Sequence, residues 1–193
     1  NAHKLISPLA EEGDALAQLF IGIMYEKGKG VPQNYTEAAK WYQLSADQGN
    51  ALSQFFLGNM YYKGQGVPRD FFEAANWFEL AAKQGIESAQ YNLSVMYFQG
   101  QGVLQDYKEA FKGYKNLALQ GHARARYNLG LMYYKGQGTQ QDYKEAFKWF
   151  KLAAQQGSME AQLNLGVMYQ KGEGIPQDYK QAFKWFKLSS DQG

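Results

Sequence analysis

The stretch that decides the fold is residues 121–157, GHARARYNLGLMYYKGQGTQQDYKEAFKWFKLAAQQG. Its pattern returns every 36 residues along the whole chain, five times in register. The opening glycine marks the period most plainly, and it stands at Gly13, Gly49, Gly85, Gly121, Gly157 and Gly193. Periods of about 20 to 50 residues are typical of stacked repeat arrays, in which each copy packs on its neighbours. The chain is therefore predicted to be a repeat protein, whose usual function is to present an extended binding surface.

Each copy begins with a predicted amphipathic helix, here called helix A. In the fourth copy it covers Ala123–Lys135, with Ala125, Leu129 and Met132 at helical spacing. Gly130 lies in the middle of this helix, and the other copies also have glycine or serine there. Because glycine inside a helix costs about 1 kcal/mol relative to alanine, we expect a neighbouring helix to approach closely at this point.

A glycine-rich loop leads to a second helix, helix B. Gly136 is predicted to close helix A in the left-handed conformation, and helix B is predicted from Tyr143 to near Gln155. Asp142 and Glu145 have the spacing of a capping box, in which each side chain binds the other residue's backbone N–H. The spacing recurs at Asn34/Glu37, Asp70/Glu73 and Asp106/Glu109, and weakens to Asp178/Gln181. Helix B is predicted to bury Tyr143, Ala146, Trp149, Phe150 and Ala153.

Two helices per copy predict an all-α fold, a right-handed α/α solenoid of helix-loop-helix repeats with a 36-residue period. Five tandem repeats are expected at 13–48, 49–84, 85–120, 121–156 and 157–192, and together they are expected to form one elongated domain over 13–193. Residues 1–12 resemble the tail of a preceding helix B, with Leu5, Ile6 and Leu9 as its apolar residues. The chain is therefore expected to be a fragment of a longer array.

Composition excludes several classes of function. The 20 Lys/Arg and 18 Asp/Glu give a net charge of +2, which is too small to indicate a nucleic-acid partner, and the absence of cysteine excludes disulfides and thiolate metal sites. No apolar run approaches the roughly 18 residues of a membrane span. His3 and His122 fall in different copies without a suitable nucleophile or paired acid, so no catalytic residue, metal site or cofactor is predicted. The Gly-x-Gly loops lack the Gly-Lys-Ser/Thr signature of phosphate loops and are interpreted as turns.

The repeated pattern Ala-x3-Leu-Gly-x-Met-Tyr-x2-Gly-x-Gly-Val-x2-Asp-Tyr-x2-Ala-x2-Trp-Phe-x2-Ala-Ala resembles the Sel1-like repeat, a relative of the tetratricopeptide repeat. The resemblance covers residues 13–193, with local departures at Gly113, Leu104 and Thr139-Gln140. It implies a non-enzymatic adaptor that assembles proteins, expected to be monomeric. Bacterial members are often exported, so a periplasmic or secreted protein is expected. The disulfide-bearing secreted subgroup, with its β-lactam chemistry, does not fit a chain without cysteine.

In the tetratricopeptide relatives, helix A lines the concave face of the array, and a protein or extended peptide binds there. Alignment through the Leu-Gly pair of helix A carries that expectation to this chain. The expected binding residues are Phe55, Asn59, Tyr62, Lys63, Tyr91, Phe98, Arg124, Tyr127, Tyr134 and Lys135. Tyr and Arg are enriched at binding hot spots. The alternative is that these aromatic residues simply pack between adjacent A helices.

Three further residues are expected at the same surface because of the resemblance. Asn92, Asn128 and Asn164 stand directly before the leucine of the Leu-Gly pair, or of Leu-Ser in the third copy, whereas the first two copies have phenylalanine. In the relatives, an asparagine at this position can hydrogen-bond the backbone of a bound peptide. The alternative is a structural amide that bonds a neighbouring turn.

Helix B of the last three copies carries lysines at one-turn spacing. They are Lys108, Lys112, Lys115, Lys144, Lys148, Lys151, Lys180, Lys184 and Lys187. Such a stripe suits an acidic protein, an anionic lipid or a polysaccharide, although solvated lysines are also the ordinary means of keeping a helical array soluble. The second function that we consider is therefore a module that binds an envelope glycan or another anionic polymer.

Overall fold

The structure is a computed structural model that describes residues 2–192. Asn1, the first residue of the predicted tail, and Gly193, the last glycine of the series, lie outside the described residues. Residues 2–192 form eleven α-helices and no β-strand. The helices are α1 Ala2–Glu11, α2 Ala15–Lys27, α3 Tyr35–Asp47, α4 Ala51–Lys63, α5 Phe71–Lys83, α6 Glu87–Gln99, α7 Tyr107–Leu119, α8 Ala123–Lys135, α9 Tyr143–Gln155, α10 Met159–Lys171 and α11 Tyr179–Ser190.

The predicted fold class is confirmed as an α/α solenoid, because each copy consists of a helix A followed by a helix B. In the fourth copy α8 and α9 have the predicted bounds. Helix α1 packs on α2, where Ala10 lies in a small core with Ala17 and Ile21. Of the three apolar residues expected in this helix, Ile6 packs against that core, whereas Leu5 and Leu9 are exposed.

The chain divides into two compact units. Unit one extends to Gln105 and contains α1–α6, and unit two begins at Asp106 and contains α7–α11. The boundary falls in the loop between the two helices of the predicted third repeat. The repeat limits and the single elongated domain stay predictions, and the two units are described separately below.

The Gly-x-Gly loop of the fourth copy shows why both of its glycines are needed. Gly136 has φ +69° and its N–H donates to the carbonyl of Met132, so it closes helix A as predicted. Gly138 has φ +70°, and a Cβ built on it would lie 2.1 Å from the carbonyl oxygen of Tyr107. The loop therefore lies directly against the start of the preceding helix B, at a distance that only glycine allows.

The backbone N–H groups at the N-terminus of helix B are hydrogen-bonded, but only half of the predicted capping box forms. The Asp142 carboxylate accepts hydrogen bonds from the backbone N–H groups of Lys144 and Glu145, at 2.9 and 3.0 Å. The reciprocal half of the predicted capping box is wrong here, because the Asp142 N–H donates to the carbonyl of Tyr133 at 3.0 Å. Glu145 instead accepts a hydrogen bond from the indole Nε1 of Trp149 at 3.1 Å.

The expected close approach at the small residue of helix A is confirmed in both units. A Cβ built on Gly130 would lie 2.7 Å from the ring of Phe150, whose side chain is fully buried. In unit one, Gly58 meets the ring of Phe78 at 2.8 Å in the same way. Helix A therefore packs its glycine on an aromatic ring of helix B, and this contact fixes the pairing of the two helices within a copy.

Buried glutamines of helix A hydrogen-bond the ends of the B helices before and after them, a feature that was not predicted from the sequence. The Gln54 amide donates to the carbonyl of Ala46 at 3.2 Å, and its oxygen accepts from the Gln84 amide at 2.8 Å. Gln84 also donates to the carbonyl of Gly49 at 3.0 Å. The same arrangement joins Gln18 to Gln48 and Gln162 to Gln192. The buried side chains of Gln18, Gln54 and Gln162 are thus paired, which offsets the cost of removing their amides from water.

Candidate functional site

The residues expected to bind a partner lie on helix A at the border between core and solvent, and they are called the helix-A face below. In unit one, the half-buried members are Phe55, Asn59, Tyr62, Tyr91, Asn92 and Phe98, and Lys63 is exposed. In unit two, the half-buried members are Tyr127, Asn128, Tyr134 and Asn164, and Arg124 and Lys135 are exposed. Each aromatic ring therefore has one side in the protein and another open to solvent.

In unit one, Phe55 and Tyr62 each pack against an aromatic ring of helix B. The ring centroid of Phe55 lies 6.0 Å from that of Phe78, and Tyr62 meets Phe71 edge-on at 5.2 Å. The Tyr62 hydroxyl donates to the side-chain oxygen of Gln101 at 3.2 Å, which joins α4 to the loop of the following copy. Packing against neighbouring helices, the alternative weighed above, accounts for the inner side of these rings.

The two asparagines of the helix-A face in unit one lie next to each other. Asn59 donates from its amide to the carbonyl of Phe55 at 3.0 Å, and Asn92 donates to the side-chain oxygen of Asn59 at 3.4 Å. This contact brings α4 and α6 together on the helix-A face. It also gives Asn92 a structural partner, although a side-chain amide has further donor and acceptor positions that a bound chain can use.

In unit two the tyrosines have the same support. The ring of Tyr127 lies 5.8 Å from that of Phe150, and Tyr134 meets Tyr143 edge-on at 5.1 Å. The Tyr134 hydroxyl donates to the carboxylate of Glu173 at 2.6 Å. Each tyrosine is therefore oriented by the helices beneath it before any partner arrives, which lowers the entropy lost on binding.

Two tyrosines of the helix-A face in unit two have raised pKa values. The hydrogen bond to Glu173, then burial, and then the negative charge of that carboxylate raise the pKa of Tyr134 to about 12. Burial and the charge of Glu160 raise the pKa of Tyr127, while a hydrogen bond with Asn164 lowers it. Both hydroxyls are therefore neutral at physiological pH and serve as hydrogen-bonding groups.

Asn164 completes the contact between α8 and α10. Its amide donates to the carbonyl of Glu160 at 2.8 Å, and its side chain also hydrogen-bonds Tyr127. In each unit, then, one hydrogen-bonded pair joins two successive A helices, Asn59 with Asn92 and Tyr127 with Asn164. The roles of these residues in binding stay predictions.

The sequence profile of the Sel1 repeat matches residues 15–50, 51–86, 87–122, 123–158 and 160–193. The chain belongs to the Sel1 repeat family. Sel1 repeat proteins are in general scaffolds for protein–protein interaction and in general non-catalytic. No curated protein matches the sequence.

Solved structures of other Sel1 repeat proteins are similar to this chain. One is a protective antigen present in uropathogenic Escherichia coli strains, 38% identical with a TM-score of 0.91 over 97% of this chain. Another is a Sel1 repeat protein from Oxalobacter formigenes, 37% identical with a TM-score of 0.88 over 94% of this chain. The chain spans 40% of the length of the first and 75% of the second.

A more distant likeness concerns the fold alone. An immunity protein from Pseudomonas aeruginosa is 20% identical, with a TM-score of 0.54 over 98% of this chain and 72% of its own. Its identity is too low to carry information about function. It shows that the same helical arrangement tolerates wide sequence change.

Exposed apolar residues on α2 and α10 were not predicted as part of this face. In unit one Leu16 and Phe20 of α2 are exposed, and in unit two so are Met159 and Leu163 of α10. Leu163 is one 36-residue period after Tyr127, so the register of the Sel1 repeat could have identified it. These positions extend the apolar part of the helix-A face in both units.

Other classes of site receive no residues from the described chain. Across residues 2–192 no group of three or more His, Cys, Asp or Glu side chains is placed to hold a metal ion. In the same range, no helix is long and apolar enough to cross a membrane. His122 serves as the N-cap of α8, where its Nδ1 accepts from the Ala125 N–H at 3.2 Å.

Proposed function

We propose that this Sel1 repeat chain is a scaffold that binds a protein or an extended peptide on the helix-A face. The observation that carries the proposal is that the A helices of each unit hold half-buried aromatic rings. Rings that are fixed from below and open above bind with little loss of side-chain entropy. Tyrosine combines this apolar area with a hydroxyl, and for that reason it is common at binding hot spots.

The face also has the polar groups that an extended chain requires. Asn92 and Asn164 are half-buried on the same face, and an amide can donate to and accept from a peptide backbone at once. Lys63, Arg124 and Lys135 are exposed at the same helices and favour acidic groups on the partner. The alternative of a glycan partner draws no support from the geometry or from the relatives.

The experiment is capture of a partner from extracts of the source cell or its host, with purified wild-type chain as bait. The test variant combines Tyr91→Ala, Arg124→Ala and Tyr127→Ala on the helix-A face. The matched control combines Lys40→Ala, Phe72→Ala and Leu80→Ala, three exposed residues of helix B in unit one. Circular dichroism and thermal unfolding establish that all three proteins fold.

We expect the control to capture the same protein as the wild type and the test variant to lose it. A photo-crosslinking residue at Leu52, which is exposed on helix A, should then label that protein, whereas one at Phe72 should not. Equal capture by the test variant, or labelling from Phe72 alone, would place binding elsewhere and end the proposal for this face.

A further inference from the structure

The helix-B lysines of unit two form a second surface, which is distinct from the helix-A face. We call it the lysine face. Its members are Lys108, Lys112 and Lys115 of α7, Lys144, Lys148 and Lys151 of α9, and Lys180, Lys184 and Lys187 of α11, and all nine are exposed. Within each helix they stand at i, i+4 and i+7, which places the three within about 60° of one another around the axis. On α9 the buried Ala146 and Ala153 lie on the opposite side, so the lysines take no part in the core.

The positive charge of this face is largely uncompensated. Lys112 pairs with Glu109, and Lys148 lies 3.2 Å from Glu145. Among residues 2–192, the other seven lysines have no acidic group within 4.0 Å. Unit two as a whole has thirteen Lys/Arg and eight Asp/Glu, whereas unit one has seven and ten. Nine of the thirteen Lys/Arg of unit two stand on one side of three helices, a concentration that solubility alone does not require.

The corresponding positions of unit one lack the pattern. They hold Thr36, Lys40 and Gln43 on α3 and Phe72, Asn76 and Glu79 on α5. A second difference accompanies the first. Where unit one has the buried alanines Ala39 and Ala75, unit two has Phe111, Phe147 and Phe183, each next to a lysine of the face.

The phenylalanines give the lysine face an aromatic border. Phe111 packs edge-on against Tyr133 at 5.2 Å and Phe147 against Tyr169 at 5.4 Å, and both are half-buried. Phe183 is 69% exposed. Exposed aromatic area beside the lysines adds apolar contact to the electrostatic attraction between a basic surface and anionic lipid.

We propose that the lysine face binds the surface of an anionic lipid bilayer. All nine of its basic residues are lysine and none is arginine. Arginine is the residue that recognises carboxylates and phosphates through paired hydrogen bonds, and lysine is depleted in protein interfaces. A field of exposed ammonium groups instead suits a diffuse layer of negative headgroups, to which each lysine near the surface adds about 1 kcal/mol. The proposal is independent of the helix-A face.

The test is sedimentation of the chain with lipid vesicles. One set contains phosphatidylcholine with about 30% phosphatidylserine, and the other contains phosphatidylcholine alone. The test variant is Lys144→Gln, Lys151→Gln and Lys184→Gln, which removes three lysines that have no acidic partner in the described structure. The matched control is Lys29→Gln, Lys40→Gln and Lys83→Gln, which removes the same charge from unit one.

We expect binding to the anionic vesicles only, weakened roughly tenfold or more by the test variant and little by the control. Salt at about 1 M should abolish binding, because it shortens the screening length to about 3 Å. Absence of binding, equal loss in both variants, or binding to neutral vesicles would overturn the proposal. So would stronger binding to poly-glutamate or DNA than to the vesicles, since it would assign the face to an acidic protein or a nucleic acid. Circular dichroism confirms the fold of each variant.

Discussion

At the scale of single residues, Trp149 shows how one side chain serves both packing and hydrogen bonding. It is 6% exposed, its indole N–H donates to Glu145, and the Lys148 ammonium lies over its ring at 5.6 Å. Glu145 does not take the capping role that its spacing predicts. The backbone N–H of Asp142, which it would have accepted from, already donates to the carbonyl of Tyr133. The tryptophan therefore fixes the first turn of helix B from the side.

Replacing Trp149 with alanine should lower the free energy of unfolding by about 3–5 kcal/mol, because a large buried side chain is removed and a cavity remains. Urea unfolding followed by circular dichroism measures the change. Trp149→Phe is the control, since it keeps an aromatic ring and removes the hydrogen bond with only part of the side-chain volume, so its loss of stability should be clearly smaller. A decrease of only a few tenths of a kcal/mol in the free energy of unfolding of the alanine variant would contradict the burial of Trp149.

At the scale of elements, the loop between helix A and helix B sets the spacing of successive copies. Gly138 presses on the carbonyl of Tyr107, whereas Gly157, in the turn between copies, has φ +90° and no heavy atom within 4 Å of a built Cβ. Substitution of each glycine by alanine therefore distinguishes two effects of an added side chain. One is backbone strain at positive φ, and the other is a steric clash.

Gly157→Ala should cost only the strain of a left-handed alanine, about 1 kcal/mol. Gly138→Ala should cost this strain plus the displacement of the loop from helix α7, about 3 kcal/mol in total. Thermal unfolding of the two variants side by side provides the comparison. Equal losses would mean that the loop moves aside without cost, contrary to the contact seen at Tyr107.

The sequence predicts these elements well and the helix-A face only in part. The 36-residue period and the Gly-to-aromatic pairing identify the helices, because each contact recurs at a fixed offset. Tyr127 is partly exposed and Leu163 is exposed. The degree of exposure depends on how neighbouring A helices pack, which the sequence of a single copy does not determine. The glutamine bridges escaped prediction for a related reason, since buried Gln162 looks like any polar surface residue until its partners are placed.

At the scale of the whole molecule, the contacts of the chain fall into two units. In repeat arrays stability is close to a sum of the stabilities of the copies and of their contacts with nearest neighbours. A local defect is therefore expected to loosen its own unit first. Phe150 in unit two and Phe78 in unit one offer a matched pair, because both are fully buried and both pack on the glycine of their helix A.

Phe150→Ala should speed amide hydrogen exchange mainly in α7–α11, and Phe78→Ala mainly in α1–α6, since each removes about 3–5 kcal/mol of packing from one unit. Hydrogen exchange read by mass spectrometry at peptide resolution distinguishes the two patterns. Uniform loss of protection along the chain for either variant would show that it unfolds as a single cooperative body.

The two kinds of glycine contact have a consequence for how such a chain can change over generations. Gly130 meets Phe150 inside its own copy, whereas Gly138 meets Tyr107 of the copy before. Each copy thus supplies one residue to the contact with the copy before it and one residue to the contact with the copy after it. Unequal recombination that adds or deletes one whole period creates a junction whose parts already fit. The number of copies in the array can therefore change between generations, while the contact between neighbouring copies stays the same.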